Sequence, residues 1–317
     1  MAAGRRTLPS PGGPLWLSAA EPIFSNLRQA YARIFSSEVI ALPTAKPTYH
    51  WRAYLAEFLG TAILVFLGLG AVIFDFGPGS PVAALMPDPF LRRLLTGFLF
   101  GSVGALVALS PLGRESGAHL DPVLSWAFWL AGSLQLRDAV LYTLAQALGA
   151  ILGALPLPIV WGGFGAAVRY GATLPGAWGS VVAILGEAAA TFALVGGILA
   201  FVGRARLRPY TPALIPPLVA LLVAFEAPLS GTSMNPARTL GPALVSNSLG
   251  YLWVYLVGPA AGALIAAIVV ARPSGVHVAK IAHHEHDPLE RFHGSARGSV
   301  AAEVQRRSAA IVRKERG

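Results

Sequence analysis

Two stretches decide the reading: Ser116-Gly-Ala-His-Leu-Asp121-Pro-Val123 and Ser230-Gly-Thr-Ser-Met-Asn235-Pro-Ala-Arg238, one in each half of a mostly apolar chain. Each runs from Ser-Gly to an Asx-Pro pair. That order places Asp or Asn at a helix N-cap and Pro at the first helical position, where no N–H is needed. The segment therefore loops in and then turns helical. Non-helical backbone at membrane depth is tolerated only where protein buries it or where it lines a watery cavity, so two such segments predict a pore in which two half-helices meet.

The rest of the chain supports a membrane setting. Of 317 residues, 55% are hydrophobic and 12% charged, and the mean hydropathy is +0.61; the charge lies mostly in tails and short loops, as in an integral membrane protein. Glycine, 35 residues of it, sits with alanine inside the apolar runs, which suits close helix packing in lipid. The absence of cysteine excludes disulfides, thiolate metal sites and a cysteine nucleophile. A net charge of +9 is explained better by orientation and lipid headgroups than by nucleic acid, because the basic residues flank apolar spans.

Six runs approach the roughly 20 residues needed to cross about 30 Å of hydrocarbon: 54–74, 94–110, 139–160, 181–202, 213–229 and 251–270. Two shorter ones, 120–131 and 234–244, follow the Asx-Pro sites and are expected to be re-entrant half-helices. The halves resemble each other: Ala56-Glu-Phe-Leu-Gly-Thr61 aligns with Gly186-Glu-Ala-Ala-Ala-Thr191, and Ala145-Gln-Ala-Leu-Gly149 with Gly258-Pro-Ala-Ala-Gly262. Three spans per half is an odd number. The second copy therefore enters from the other side, giving an inverted repeat with its site near the midplane. With both termini inside, 20 of the 24 Lys and Arg fall on the inner side, which predicts cytoplasmic tails; Arg92 and Arg93 are a local exception. Residues 1–50 read as a weakly ordered arm, 51–272 as the channel domain (repeats about 51–165 and 180–272), and 273–317 as a basic tail. The tail contains His283-His-Glu-His286, where a metal site is not expected because a mobile segment fixes no geometry, and a run over 300–314 that suits a headgroup-binding amphipathic segment.

At this point the sequence resembles the aquaporin, or major intrinsic protein, family, as a bacterial-type member with an altered first box. The match covers about Trp51 to Ala271: six spans, an inverted repeat, a Glu early in the first and fourth spans, and two Asn-Pro-Ala-type boxes, here Asp121-Pro122-Val123 and Asn235-Pro236-Ala237, the second followed by Arg238. The resemblance implies an all-α membrane protein, a right-handed bundle of six transmembrane helices with two re-entrant half-helices. It further implies that Asp121 and Asn235 face the pore centre, that Pro122 and Pro236 stack there, and that carbonyls of Gly117, Ala118, His119, Gly231, Thr232 and Ser233 form a ladder for solute. The His119 side chain is expected to brace its loop. Glu57 and Glu187, ionisable groups inside apolar spans, would brace the re-entrant loops. Counting along the family pattern assigns the outer constriction to Phe100 (with Gly101 as the alternative), Val223, Thr232 and Arg238.

Water-specific members usually have His where this chain has Val223, so the resemblance implies a wider, partly apolar filter for water and small uncharged solutes such as polyols or urea, with no cofactor, in a homotetramer in the plasma (inner) membrane. Cations would be opposed by two positive half-helix ends and by Arg238. Asp121 caps a helix as well as Asn does but lacks the amide donor, which leaves open a cation-leaky or pH-gated pore. A non-conducting structural protein of the same fold is a further alternative. No paired carboxylates, metal ligands or nucleophile and base converge, so no enzyme is expected.

Overall fold

The structure, a computed structural model, describes residues 49–271, 276 and 279–281, all within the unit Thr44–Gly317. The expectations for residues 1–48, the 283–286 histidines and the 300–314 run lie outside the described residues. Everything regular among the described residues is helical: α1 (Trp51–Phe76), the short α2 (Pro81–Leu85), α3 (Pro89–Leu109), the single turn α4 (Pro111–Ser116), α5 (Pro122–Leu130), α6 (Leu136–Ala154), α7 (Leu157–Ala166), α8 (Gly179–Gly203), α9 (Thr211–Ser230), α10 (Pro236–Val245) and α11 (Leu252–Ala266), which runs on into a π-helical turn, Ala267–Ala271.

Five helices are each long and apolar enough to cross a membrane, and a sixth is obtained when α6 and α7 count as one span bent by 67°. The bend departs from the unbroken 139–160 expected for the third span. Pro156 and Pro158 are the cause: neither can donate the backbone bond that would carry the helix on, and each ring crowds the carbonyl one turn earlier, while Leu155 itself stays helical (φ −54°, ψ −38°). The two half-helices begin at Pro122 and Pro236, later than the expected 120 and 234, because Leu120 and Met234 hold left-handed backbone (φ 54° and 55°) that cannot enter an α-helix.

The packing repeats across the two halves. In the first, α1 lies against α6 and α3; in the second, α8 lies against α11 and α9; and α5 and α10 each pack on helices of both halves. The closest approaches fall at matched glycines. A Cβ on Gly149 would stand 2.2 Å from the Phe58 carbonyl oxygen, and one on Gly262 would stand 2.2 Å from that of Ala188. Phe58 and Ala188 directly follow Glu57 and Glu187. The alignment read from sequence is thus reproduced in three dimensions, and backbone contact of this kind supplies dispersion where lipid provides no hydrophobic drive. The remaining long contact, α3 on α9, uses Gly97 and Gly101 against Ala220 and Pro216. These pairs hold six membrane-crossing elements around a central space into which both half-helices point their N-termini.

Candidate functional site

The two loops that enter the bundle have the same backbone. After Ser116 and Ser230, residues Gly117, Ala118 and Leu120 (φ 92°, 53°, 54°) and Gly231, Thr232 and Met234 (φ 81°, 52°, 55°) are left-handed. Four of these six carry a Cβ, and such conformations cost about 1–3 kcal/mol each, so something must hold them. Glu57, fully buried, accepts from His119 N at 2.9 Å and Leu120 N at 2.7 Å. Glu187, equally buried, accepts from Ser233 N at 2.6 Å and Met234 N at 2.7 Å. Each carboxylate takes a third donor: the Gln146 amide at 2.7 Å on Glu57 and the Ser230 hydroxyl at 2.6 Å on Glu187. A carboxylate inside an apolar span is costly unless its lone pairs are filled, and here backbone and side-chain donors fill them.

A second matched set was not found from sequence. Tyr142 Oη donates to Ser116 O at 2.7 Å and Tyr255 Oη to Ser230 O at 2.6 Å, while Ser116 Oγ and Ser230 Oγ accept from Ala118 N and Thr232 N, both at 3.0 Å. The available signal was position: each tyrosine stands seven residues before a glycine of the matched pair Gly149 and Gly262.

Where the half-helices meet, the repeat breaks. Asn235 caps α10 through Oδ1, which accepts from Arg238 N at 3.1 Å, and its amide Nδ2 donates across the junction to Leu120 O at 2.8 Å. Asp121 caps α5 by accepting from Val123 N at 3.0 Å. It has no amide with which to return the cross-junction bond to the carbonyl of Met234, the counterpart of Leu120.

A cavity of about 390 Å³ runs past both loops and is lined by Ala118, His119, Leu120 and Asp121 of the first and by Gly231 through Asn235 of the second. Phe100, Gly101, Val223, Thr232 and Arg238 line it as well. The Arg238 guanidinium carbon stands 5.6 Å from the Phe100 ring centroid, and Nη1 has no protein partner. A Cβ on Gly101, by contrast, would point into Pro216 and the Ile215 carbonyl. Not every expected residue reaches this space. Gly117 does not line it, and its carbonyl accepts from Ile281 N at 3.0 Å; Pro122, Val123, Pro236 and Ala237 line a second, nearly apolar cavity of about 430 Å³ beside α11. His119 is buried and braced, with Nδ1 3.0 Å from Ser125 Oγ and the ring stacked on Phe128 at 4.6 Å.

Two charged residues of the site went unassigned in the sequence. Arg93 lines the same cavity, its Nε donating to Ala224 O at 3.0 Å. Arg92 lies over the Phe76 ring, 4.9 Å from its centroid. Glu226, buried on α9 beside Ser230 and Thr232, sits where Gly186 leaves room: a Cβ there would come within 2.5 Å of its Oε1. An ionisable residue inside an apolar run was the signal.

Comparison with known proteins agrees with this geometry. Residues 44–270 match the family described as major intrinsic protein. The chain is 36% identical to aquaporin NIP1-4 of Oryza sativa subsp. japonica over 214 residues, 67% of this chain and 73% of that protein. It is 36% identical to the lens fiber major intrinsic protein of Gallus gallus over 225 residues, 69% and 80% of the respective chains, and 32% identical to aquaporin TIP2-3 of Arabidopsis thaliana over 221 residues, 69% and 85%. The fold is that of the aquaglyceroporin from Plasmodium falciparum, with a TM-score of 0.56 at 23% identity over 71% of this chain and 98% of that one. With its membrane-crossing helices, paired re-entrant loops and the cavity between them, the chain belongs to the major intrinsic protein family and is a passive, multi-pass membrane channel for water and small solutes.

Proposed function

We propose that solute selection is set by Phe100, Val223, Thr232 and Arg238, and that the filter admits small uncharged solutes such as glycerol or urea together with water. The observation that carries this reading is the placement of Arg238 in the cavity with its guanidinium over Phe100 while Val223 supplies only a hydrocarbon surface. Passing solute sheds part of its hydration, regains hydrogen bonds from loop carbonyls and from Arg238, and meets an apolar wall opposite that keeps its stay short. The filter's second-span position goes to Phe100 because the Cβ direction of Gly101 leads into α9. The protomer forms a homotetramer with one pore each, and both termini face the cytoplasm of a plasma (inner) membrane; the Lys and Arg distribution supports that orientation. Stopped-flow swelling of proteoliposomes against water, glycerol and urea gradients tests the reading. Permeation of water and at least one of the two larger solutes is expected, and water alone would remove the proposed filter.

A second reading is favoured by one observation. The Asp121 carboxylate lines the cavity at the junction of the helix ends, where an ionised group would offset their positive ends and draw cations. Proton or cation current through the reconstituted protein, absent from Asp121→Asn, would establish it.

A further inference from the structure

We infer that Val276 and residues 279–281 form a closing segment seated in the channel mouth on the side where α1 begins and α11 ends. All four residues are buried, between 3% and 5% exposed, and Ile281 itself lines the channel cavity. The segment is held by hydrogen bonds at several points. Ile281 N donates to Gly117 O at 3.0 Å, Ser133 Oγ donates to Val276 O at 3.0 Å, and the Lys280 ammonium donates to Arg114 O. His119 Nε2 is 3.0 Å from Ala279 O; a carbonyl only accepts, so Nε2 carries the proton.

Gly117 makes the fit possible. A Cβ there would stand 2.4 Å from Ala279 O and 3.0 Å from Lys280 Cα, so only glycine lets the two backbones meet. At the matched position of the other loop, a Cβ on Gly231 would meet Thr173 Cα at 3.4 Å, an ordinary contact. The seated segment occupies the Gly117 carbonyl, which would otherwise offer solute an acceptor, and it places the Ile281 side chain where solute must pass. A hydrocarbon group in a narrow lumen gives water no replacement for the hydrogen bonds it sheds, which is how apolar constrictions gate. A tail that merely packed on the outside of the bundle would leave both the carbonyl and the lumen untouched. The seated form therefore conducts poorly, and full conduction requires the segment to leave.

The 317-residue chain has no cysteine, so Ile281→Cys reports on the segment alone, with Leu85→Cys, at a position 87% exposed, as the accessible reference. In mild detergent, maleimide labelling of Ile281→Cys is expected to be roughly tenfold slower or more than that of Leu85→Cys, because only the departed segment reacts. Val276→Asp, which places a charge in the buried seat, is expected to speed labelling of Ile281→Cys and to raise water permeability in proteoliposomes by about threefold or more per folded protein. Ile281→Gly, which clears the lumen whether or not the segment moves, is expected to raise permeability likewise. Labelling of Ile281→Cys as fast as the reference overturns the inference, and so does parental permeability in Ile281→Gly. Labelling reads the seat without any flux, so a failure here stays distinct from a failure of conduction itself.

Discussion

The two re-entrant loops share a backbone and differ in the side chains that face the lumen. Both begin with Ser-Gly, both turn left-handed at matched positions, and both are held by a buried Glu and a Tyr. One then presents Asp121 at the helix junction and receives Ile281 at its mouth, whereas the other presents Asn235 and Arg238. The fold repeats because its requirements are backbone requirements, the same in either orientation across the membrane. Selection needs no repeat, since solute meets the two loops in series, and a single asymmetric residue in either acts on everything that passes.

The largest effect expected is from removing a brace. Glu57→Ala leaves two buried N–H groups and the Gln146 amide without their acceptor, and Glu187→Ala does the same to two N–H groups and the Ser230 hydroxyl; each is expected to cost about 3 kcal/mol or more. If the loops are equivalent, the two variants lose thermal stability in detergent to a similar degree. A large loss in one and none in the other would break the comparison at its base. Next come the close approaches. Gly149→Val and Gly262→Val each drive side-chain carbon into a carbonyl that cannot be rotated away, at about 1–3 kcal/mol of overpacking or more. Paired melts would show whether the two contacts are as alike in energy as in distance.

The junction gives the smallest stability change and the sharpest contrast. Asp121→Asn supplies the missing donor toward the Met234 carbonyl, and a net gain of about 1 kcal/mol is expected. The same change removes the titratable carboxyl that caps α5 at the junction. Flux of neutral solute through the parent is expected to vary between pH 4 and 9, higher when Asp121 is protonated and able to donate and lower when it is ionised, while the Asn form stays level. Superimposable pH profiles of the two proteins would reduce Asp121 to an acidic cap.

How much of this was legible in the sequence follows from where the chemistry lies. The Asx-Pro boxes and the two glutamates were readable because a helix start needs a cap beside a proline, and because an ionisable group stands out in an apolar run. The inverted repeat was readable for a related reason: Gly149 and Gly262 recur where backbone must touch backbone. The left-handed Ala118, Leu120, Thr232 and Met234 were not readable, since no glycine marks them and the glutamates that hold them lie far away in the chain. Nor was the bend between α6 and α7, where two prolines sit in an otherwise unbroken apolar run. The seat of residues 279–281 was hidden too. Its acceptors and donors, Gly117, His119, Ser133 and Arg114, come from loops more than a hundred residues earlier, and no local pattern in the segment points to them.

The central claim is that side chains without a counterpart in the other loop decide what passes through a duplicated frame, and Arg238 tests it most directly. Arg238→Ala leaves the Asn235 cap and the Glu187 brace in place while removing the guanidinium from the lumen. Its ratio of glycerol to water permeability in proteoliposomes is expected to rise by roughly tenfold, with water permeability itself changing less, since one lost barrier of about 1.4 kcal/mol corresponds to that factor. An unchanged ratio in a variant that melts like the parent would contradict the account.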